Sequence, residues 1–162
     1  MSVKPSFFHP AVFLSTWFGT GLLKPAPGTW GTLAALPFAW CIAKYYGQEA
    51  LIIASILIYF LGVYTSHIYS KLTNSHDASE VVIDEVAGVW LTLGFVPINI
   101  SSLIIGFLLF RLFDIFKPWP IGPVDKRMPG GWGIMTDDMI AGLFAGILLY
   151  GANMMGWLNF VN

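Results

Sequence analysis

Three stretches of the chain place carboxylates beside cations or glycines at spacings that a helix gathers onto one face. The first is His76-Asp77-Ala78-Ser79-Glu80-Val81-Val82-Ile83-Asp84-Glu85-Val86-Ala87-Gly88. Wound as a helix, it sets Asp77, Glu80 and Asp84 at i, i+3 and i+7. Carboxylates so close repel one another unless protons, basic groups or a divalent cation lie between them. Hard oxygen ligands of this kind suit magnesium, which commonly takes one or two carboxylates together with substrate phosphate and water. Asp84 and Glu85 are therefore candidate metal ligands, and the plainer alternative is an acidic first turn favoured by the helix dipole.

The second stretch, Phe110-Arg111-Leu112-Phe113-Asp114-Ile115-Phe116-Lys117-Pro118-Trp119-Pro120, spaces Arg111, Asp114 and Lys117 one helical turn apart, able to point the same way. A planar guanidinium and an ammonium grip phosphate oxygens, while the carboxylate holds either a metal or the arginine. The alternative is a structural Arg111–Asp114 pair with Lys117 snorkelling to a membrane surface. In the third, Gly130-Gly131-Trp132-Gly133-Ile134-Met135-Thr136-Asp137-Asp138, Thr136 reads as a helix N-cap with both aspartates in the first turn. Two adjacent acids behind a glycine-rich loop also suit a metal site whose backbone, at Gly130 and Gly131, lies close to a phosphate. A further stretch, Pro25-Ala26-Pro27-Gly28-Thr29-Trp30-Gly31-Thr32, offers backbone amides around Gly28 and Thr29 that either bind an anion at a helix start or simply turn the chain.

The elements that must carry these residues are set by composition. The chain has 162 residues, 56% hydrophobic and 10% charged, where soluble domains run at roughly 25% charged. Lipid is the solvent this composition implies, and one domain is the expectation for the length. A net charge of −1 with no basic, aromatic-interleaved stripe gives no support for nucleic-acid binding. The single cysteine, Cys41, excludes an intramolecular disulfide and reads as a small buried packing residue. No cleaved leader is expected from the N-terminal residues, and Asn99-Ile100-Ser101 matches a glycosylation acceptor by chance.

Apolar runs predict an all-α, polytopic membrane bundle of four to five transmembrane helices behind an interfacial N-terminal segment rich in aromatic residues. The predicted spans cover residues 32–46, kinked at Pro37; 50–69; 86–98, with a start as early as Val81; 102–116; and 139–158. Gly142 and Gly146, beside Ala141 and Ala145, form a small-residue face for close helix packing. With alternating spans and a cytoplasmic N-terminus, all of the 8 lysines and arginines except Lys44 fall on the cytoplasmic side, the asymmetry of the positive-inside rule. All of the 9 acids except Glu49 fall there too. Acids at helix ends within apolar segments are costly and usually functional.

In order along the chain, these motifs resemble the bacterial phosphatidylglycerophosphatase A family from about Gly19 to Gly146. The residues that carry the resemblance are Pro27-Gly28-Thr29-Trp30-Gly31-Thr32-Leu33-Ala34-Ala35; Ile83-Asp84-Glu85 with Gly88; Phe110-Arg111 with Asp114 and Lys117-Pro118-Trp119-Pro120-Ile121; and Gly130-Gly131 with Gly133-Ile134-Met135 and Asp137-Asp138. The resemblance implies a magnesium-dependent phosphatase of the bacterial inner membrane, with its site on the cytoplasmic side, that converts phosphatidylglycerophosphate to phosphatidylglycerol and inorganic phosphate. Asp84, Asp137 and Asp138, with Glu85 or Asp114, would then hold magnesium, while Arg111 and Lys117 bind phosphate. His76 is a candidate proton donor to the leaving glycerol oxygen, with His9 and His67 in lesser roles, the latter expected to be packed within its span. Whether water or an aspartate attacks phosphorus stays open. A lipid phosphotransferase is the alternative enzyme, but its Asp-Gly and Ala-Arg string with two spaced aspartates is absent. A transporter would need acids near the bilayer midplane rather than at span ends.

Overall fold

A computed structural model describes residues 5–75, 78–123, 128 and 130–158. Those residues form helices and turns, with no strand among them. A six-residue helix, α1 (Pro10–Ser15), and a 3-10 turn (Thr20–Leu22) precede α2 (Pro27–Tyr46) and α3 (Gln48–Thr73). The short α4 (Ile83–Leu93), α5 (Ile100–Phe116) and α6 (Gly130–Met154) complete the described bundle. The expected N-terminal segment is thus realised as α1 and the 3-10 turn. His9 caps α1 by accepting a hydrogen bond at Nδ1 from the Ala11 amide, 3.2 Å away.

The helix starts follow local chemistry. Proline at the first position opens α2 at Pro27, five residues before the expected start, because its missing N–H is one a helix start leaves unpaired anyway. Pro37 lies inside α2, which continues past it. A reciprocal capping box joins Asn99 and Ser102 at the start of α5, with both bonds at 2.8 Å. Asn99 therefore serves the backbone.

Helix α4 ends at Leu93 rather than reaching residue 98. Pro97 lies shortly beyond, and the residue before a proline is driven out of the α region. The expected helical face of Asp77, Glu80 and Asp84 also fails, because the helix begins only at Ile83 and Glu80 sits in the preceding turn. Asp77 lies outside the described residues, as do Lys4, His76, Asp125, Lys126 and Arg127.

Helix α6 starts at Gly130, nine residues before the expected Met139. Thr136 is therefore no N-cap: it lies in the helix interior, 2.9 Å from the Tyr59 hydroxyl. The reason is packing. Gly131 lies so close to the Val63 carbonyl that a Cβ there would strike it, and Gly133 meets the Met128 carbonyl in the same way. The glycines bring a helical turn up against its neighbours instead of forming a loop.

At the centre, α4 is buried along Ile83, Val86, Ala87, Gly88, Val89, Trp90, Thr92 and Leu93. Its neighbours reach it through small residues: Gly31, Ala35, Ala39 and Ala43 form the buried stripe of α2, and Ala141, Gly142, Ala145 and Gly146 the expected stripe of α6. Polar ties add to the contact. Trp90 Nε1 donates to the Ala35 carbonyl at 3.0 Å, Ser55 Oγ to the Ala87 carbonyl at 2.7 Å, and Thr92 Oγ1 reaches the Gly142 carbonyl at 3.1 Å. In lipid, where apolar side chains gain little by leaving an apolar solvent, such close packing and hydrogen bonds of roughly 0.6–2 kcal/mol hold helices together.

Among the described residues, two helices, α3 and α6, are long and apolar enough to cross a membrane. Only 28% of the most apolar window of α3 is buried, whereas a core helix of a soluble protein hides most of such a window. Large apolar side chains, among them Ile53, Leu57, Phe60 and Tyr64, face outward instead. Cys41 is likewise exposed, a correction to its expected burial, because α2 turns its small stripe inward and Cys41 falls outside that stripe.

Candidate active site

The N-terminal ends of α2 and α4, the C-terminal end of α5 and the second and third turns of α6 meet around one cavity of about 280 Å³. Its walls include Gly28, Asp84, Glu85, Arg111, Asp114, Lys117, Asp137 and Asp138. Every carboxylate and cation named as a site candidate from the sequence lines this cavity, among the described residues. His76 lies outside the described residues.

Each element contributes for a local reason. On α4, the first turn presents Asp84 and Glu85, and the Asp84 Oδ1 accepts from the Glu85 amide at 3.0 Å. Holding that turn in place, the Val82 amide donates to the Ser15 carbonyl at 2.8 Å, which ties α1 to the start of α4. The last turns of α5 present Arg111 and Asp114, which form an ion pair. Arg111 Nη1 also lies 3.5 Å from Glu85 Oε1, joining α5 to α4.

Lys117 is the C-cap of α5 and adopts a left-handed backbone with φ of 42°. That turn directs its ammonium to Asp137 Oδ2 on α6, 2.7 Å away. Asp137 and Asp138, adjacent on α6, are each only 3% exposed. Gly28 matters because it lacks a side chain: a Cβ there would strike Glu85 Oε1 and lie 3.0 Å from Arg111 Nη1. Its bare backbone lets α2 close the cavity over the Glu85–Arg111 pair.

The acids do not all do the same thing. Asp84, Glu85 and Asp138 each offer an oxygen within 4.8 Å of the others, a grouping able to hold a metal ion. Asp114 is paired with Arg111, and Asp137 with Lys117. Within the cavity region, Glu85 Oε2, Arg111 Nε and Asp138 Oδ2 are buried and have no hydrogen-bond partner among the described residues. Buried polar atoms without partners cost about 1–3 kcal/mol each, so a site that keeps them is built for a ligand that satisfies both signs of charge.

Other expected participants lie elsewhere. Gly130 and Gly131 line a separate cavity of about 820 Å³ along α3, together with His67, Lys71 and Trp132. His67 is exposed there, not packed within its helix as expected. Thr29 is half-buried and does not line the carboxylate cavity. Ser79, Ala78 and Ile134 also line it, although the sequence assigns none of them a role.

The phosphatidylglycerophosphatase A family profile matches residues 13–153 of the chain. A phosphatidylglycerophosphatase A of Escherichia coli is 38% identical over 143 residues, covering 88% of this chain and 83% of its own. One of Haemophilus influenzae is 36% identical over 148 residues, 91% of each chain. A relative in Bacteroides thetaiotaomicron, provisionally named a phosphatidylinositol-3-phosphatase, is 37% identical over 161 residues, covering 90% of this chain and 94% of its own. No solved structure matches the chain. With its helix-end cavity of carboxylates and cations and a match running from Phe13 to Asn153, the chain belongs to the phosphatidylglycerophosphatase A family, a family of phosphatases.

Proposed function

We propose that this protein hydrolyses the terminal phosphomonoester of phosphatidylglycerophosphate, releasing phosphatidylglycerol and inorganic phosphate. The observation that carries the reading is the trio of half-buried Asp84 and Glu85 and buried Asp138, beside Arg111 and Lys117 in one cavity. It supports chemistry on an anionic group held by cations and a divalent ion together. Breaking the bond between phosphorus and the glycerol oxygen leaves phosphate with a hydroxyl from water and the glycerol oxygen with a proton.

The donor set fits magnesium: three carboxylates give hard oxygen ligands, and the orphaned oxygens of Glu85 and Asp138 await a cation. When bound, such an ion supplies positive charge that offsets the charge gathering on the phosphoryl oxygens. Arg111 and Lys117 bind and orient the same oxygens, while Asp114 and Asp137 hold those cations in place before substrate arrives. Removing divalent ions with a chelator is expected to stop phosphate release, and adding magnesium to restore it. Release that continues undiminished in chelator would refute the metal role.

A lysine on phosphate contributes a charge-assisted contact of about 1.5–3 kcal/mol. Lys117→Ala is accordingly expected to lower kcat/KM about ten- to hundredfold, read by phosphate release in detergent. A value within twofold of wild type would remove Lys117 from the substrate site. Because the Bacteroides relative bears a phosphatidylinositol phosphatase name, the same assay on a phosphatidylinositol monophosphate separates the two headgroups; both are lipid phosphomonoesters.

We also propose five crossings of a bacterial inner membrane, with the cavity on the cytoplasmic side, where the lysines and arginines gather under the positive-inside rule. Helices α3 and α6 are long and apolar enough for two of them, and α2 and α5, at 20 and 17 residues, would supply two more. At 11 residues, α4 rises only about 16 Å, so the turn at residues 94–96 and the irregular residues 97–99 would complete its passage across ~30 Å of hydrocarbon. Irregular backbone at that depth is tolerated where protein surrounds it, and Val96 is 1% exposed.

A further inference from the structure

Beside the carboxylate cavity lies a second one, of about 640 Å³, between the N-terminal segment and the end of α3. The two share the wall formed by Pro27, Ala78 and Ser79. Phe7, Val12 and Leu22 make one side of the second cavity apolar, while Tyr69, Thr73, Ser75 and Ser79 add hydroxyls. Lys24 is its cation and Glu80 its carboxylate, among the described residues. Lys24 has no ion pair with any described residue, and in sequence it lies just before the Pro27 start of α2 that roofs the carboxylate site.

We infer that this adjoining cavity holds the part of the lipid substrate next to the scissile group, with Lys24 paired to its phosphodiester. The inference rests on the reading given under Proposed function. A lipid with phosphate at both ends of a headgroup glycerol presents a monoester and a diester a few bonds apart, and two cavities with a common wall match that pair. Arg111 and Lys117 serve the first anion, and neither lines the second cavity. The hydroxyls and Glu80 suit the glycerol hydroxyl between the two phosphates, and the Phe7, Val12 and Leu22 side suits the start of the acyl region. Lys24 is thereby a specificity residue: it distinguishes a lipid whose phosphomonoester stands beyond a phosphodiester from one whose phosphate is attached directly to diacylglycerol.

The test compares short-chain phosphatidylglycerophosphate with short-chain phosphatidic acid, which has no diester. Lys24→Ala is expected to raise KM about tenfold for the first, the loss of one charge-assisted contact, and to move KM less than about twofold for the second. Lys24→Arg should recover most of the loss. Equal effects on both lipids, or none on either, would overturn the inference. A binding measurement separates this outcome from failure of the phosphatase reading itself. Short-chain phosphatidylglycerol carries only the diester, and by titration calorimetry it should bind the Lys24→Ala protein about tenfold more weakly than wild type even if no phosphate is released. Undiminished binding to the variant, or no saturable binding to wild type, would refute the role of Lys24.

Discussion

Asp138→Asn is expected to lower phosphate release at least about a hundredfold, since losing even an outer-shell partner of a metal ligand costs 10–100-fold and this is a candidate ligand. Asp138 is 3% exposed, and its Oδ2 has no hydrogen-bond partner among the described residues. Asparagine keeps the volume and removes the charge. A purely structural acid would be missed by the fold, but one held among other carboxylates is a burden to the fold until a cation arrives. In chelator, therefore, the Asp138→Asn protein should unfold at a temperature no lower than wild type, while in magnesium it gains less stability from the ion than wild type does. Phosphate release with thermal unfolding, with and without chelator, measures both. Near-normal turnover, or a large loss of stability in chelator, would take Asp138 out of the site.

The second large effect concerns the joint that brings the acids together. A Cβ at Gly88 would press into the Phe110 ring and lie 2.7 Å from the Asp138 carbonyl oxygen, on the backbone of α6. Neither a ring wedged in the core nor a helix backbone can yield locally, so α4 and α6 must part. Overpacking of this kind costs typically about 1–3 kcal/mol, occasionally more. Gly88→Ala is expected at the upper end, with a lowered unfolding temperature and a loss of phosphate release, because parting the helices draws Asp84 and Glu85 away from Asp138. Gly151, late on α6, has nothing within 4 Å of a Cβ and supplies the contrast: alanine there relieves a helix glycine penalty of roughly 1 kcal/mol. If Gly88→Ala melted with wild type, the close approach of the two helices would not be what organises the site.

Much of the site could be read without coordinates because charge is rare in an apolar chain. Each of Asp84, Glu85, Arg111, Asp114, Lys117, Asp137 and Asp138 stands at or near the edge of an apolar run, where an ionisable group is costly and needs a reason. Side-chain spacing also identified Arg111, Asp114 and Lys117 as able to face one point, and the structure places all three on one cavity. Glycines are ambiguous in sequence. Gly130, Gly131 and Gly133 signal either a loop or a close helix contact, and only the positions of the Val63 and Met128 carbonyls decide for contact. The same ambiguity moved the supposed cap at Thr136 into the interior of α6.

What sequence alone determined, then, is an all-helical, apolar chain with its charge gathered at one set of helix ends, because periodicity, length and the scarcity of charge act along the chain itself. Tertiary structure decided how the charges divide: Asp114 pairs with Arg111, which also reaches Glu85, and Asp137 pairs with Lys117, while Asp84, Glu85 and Asp138 bring their oxygens within 4.8 Å of one another. That division depends on how closely α4 and α6 pack at Gly88 and Gly142 and on the left-handed turn at Lys117. Distances between helices arise from contacts remote in sequence, and no local spacing encodes them.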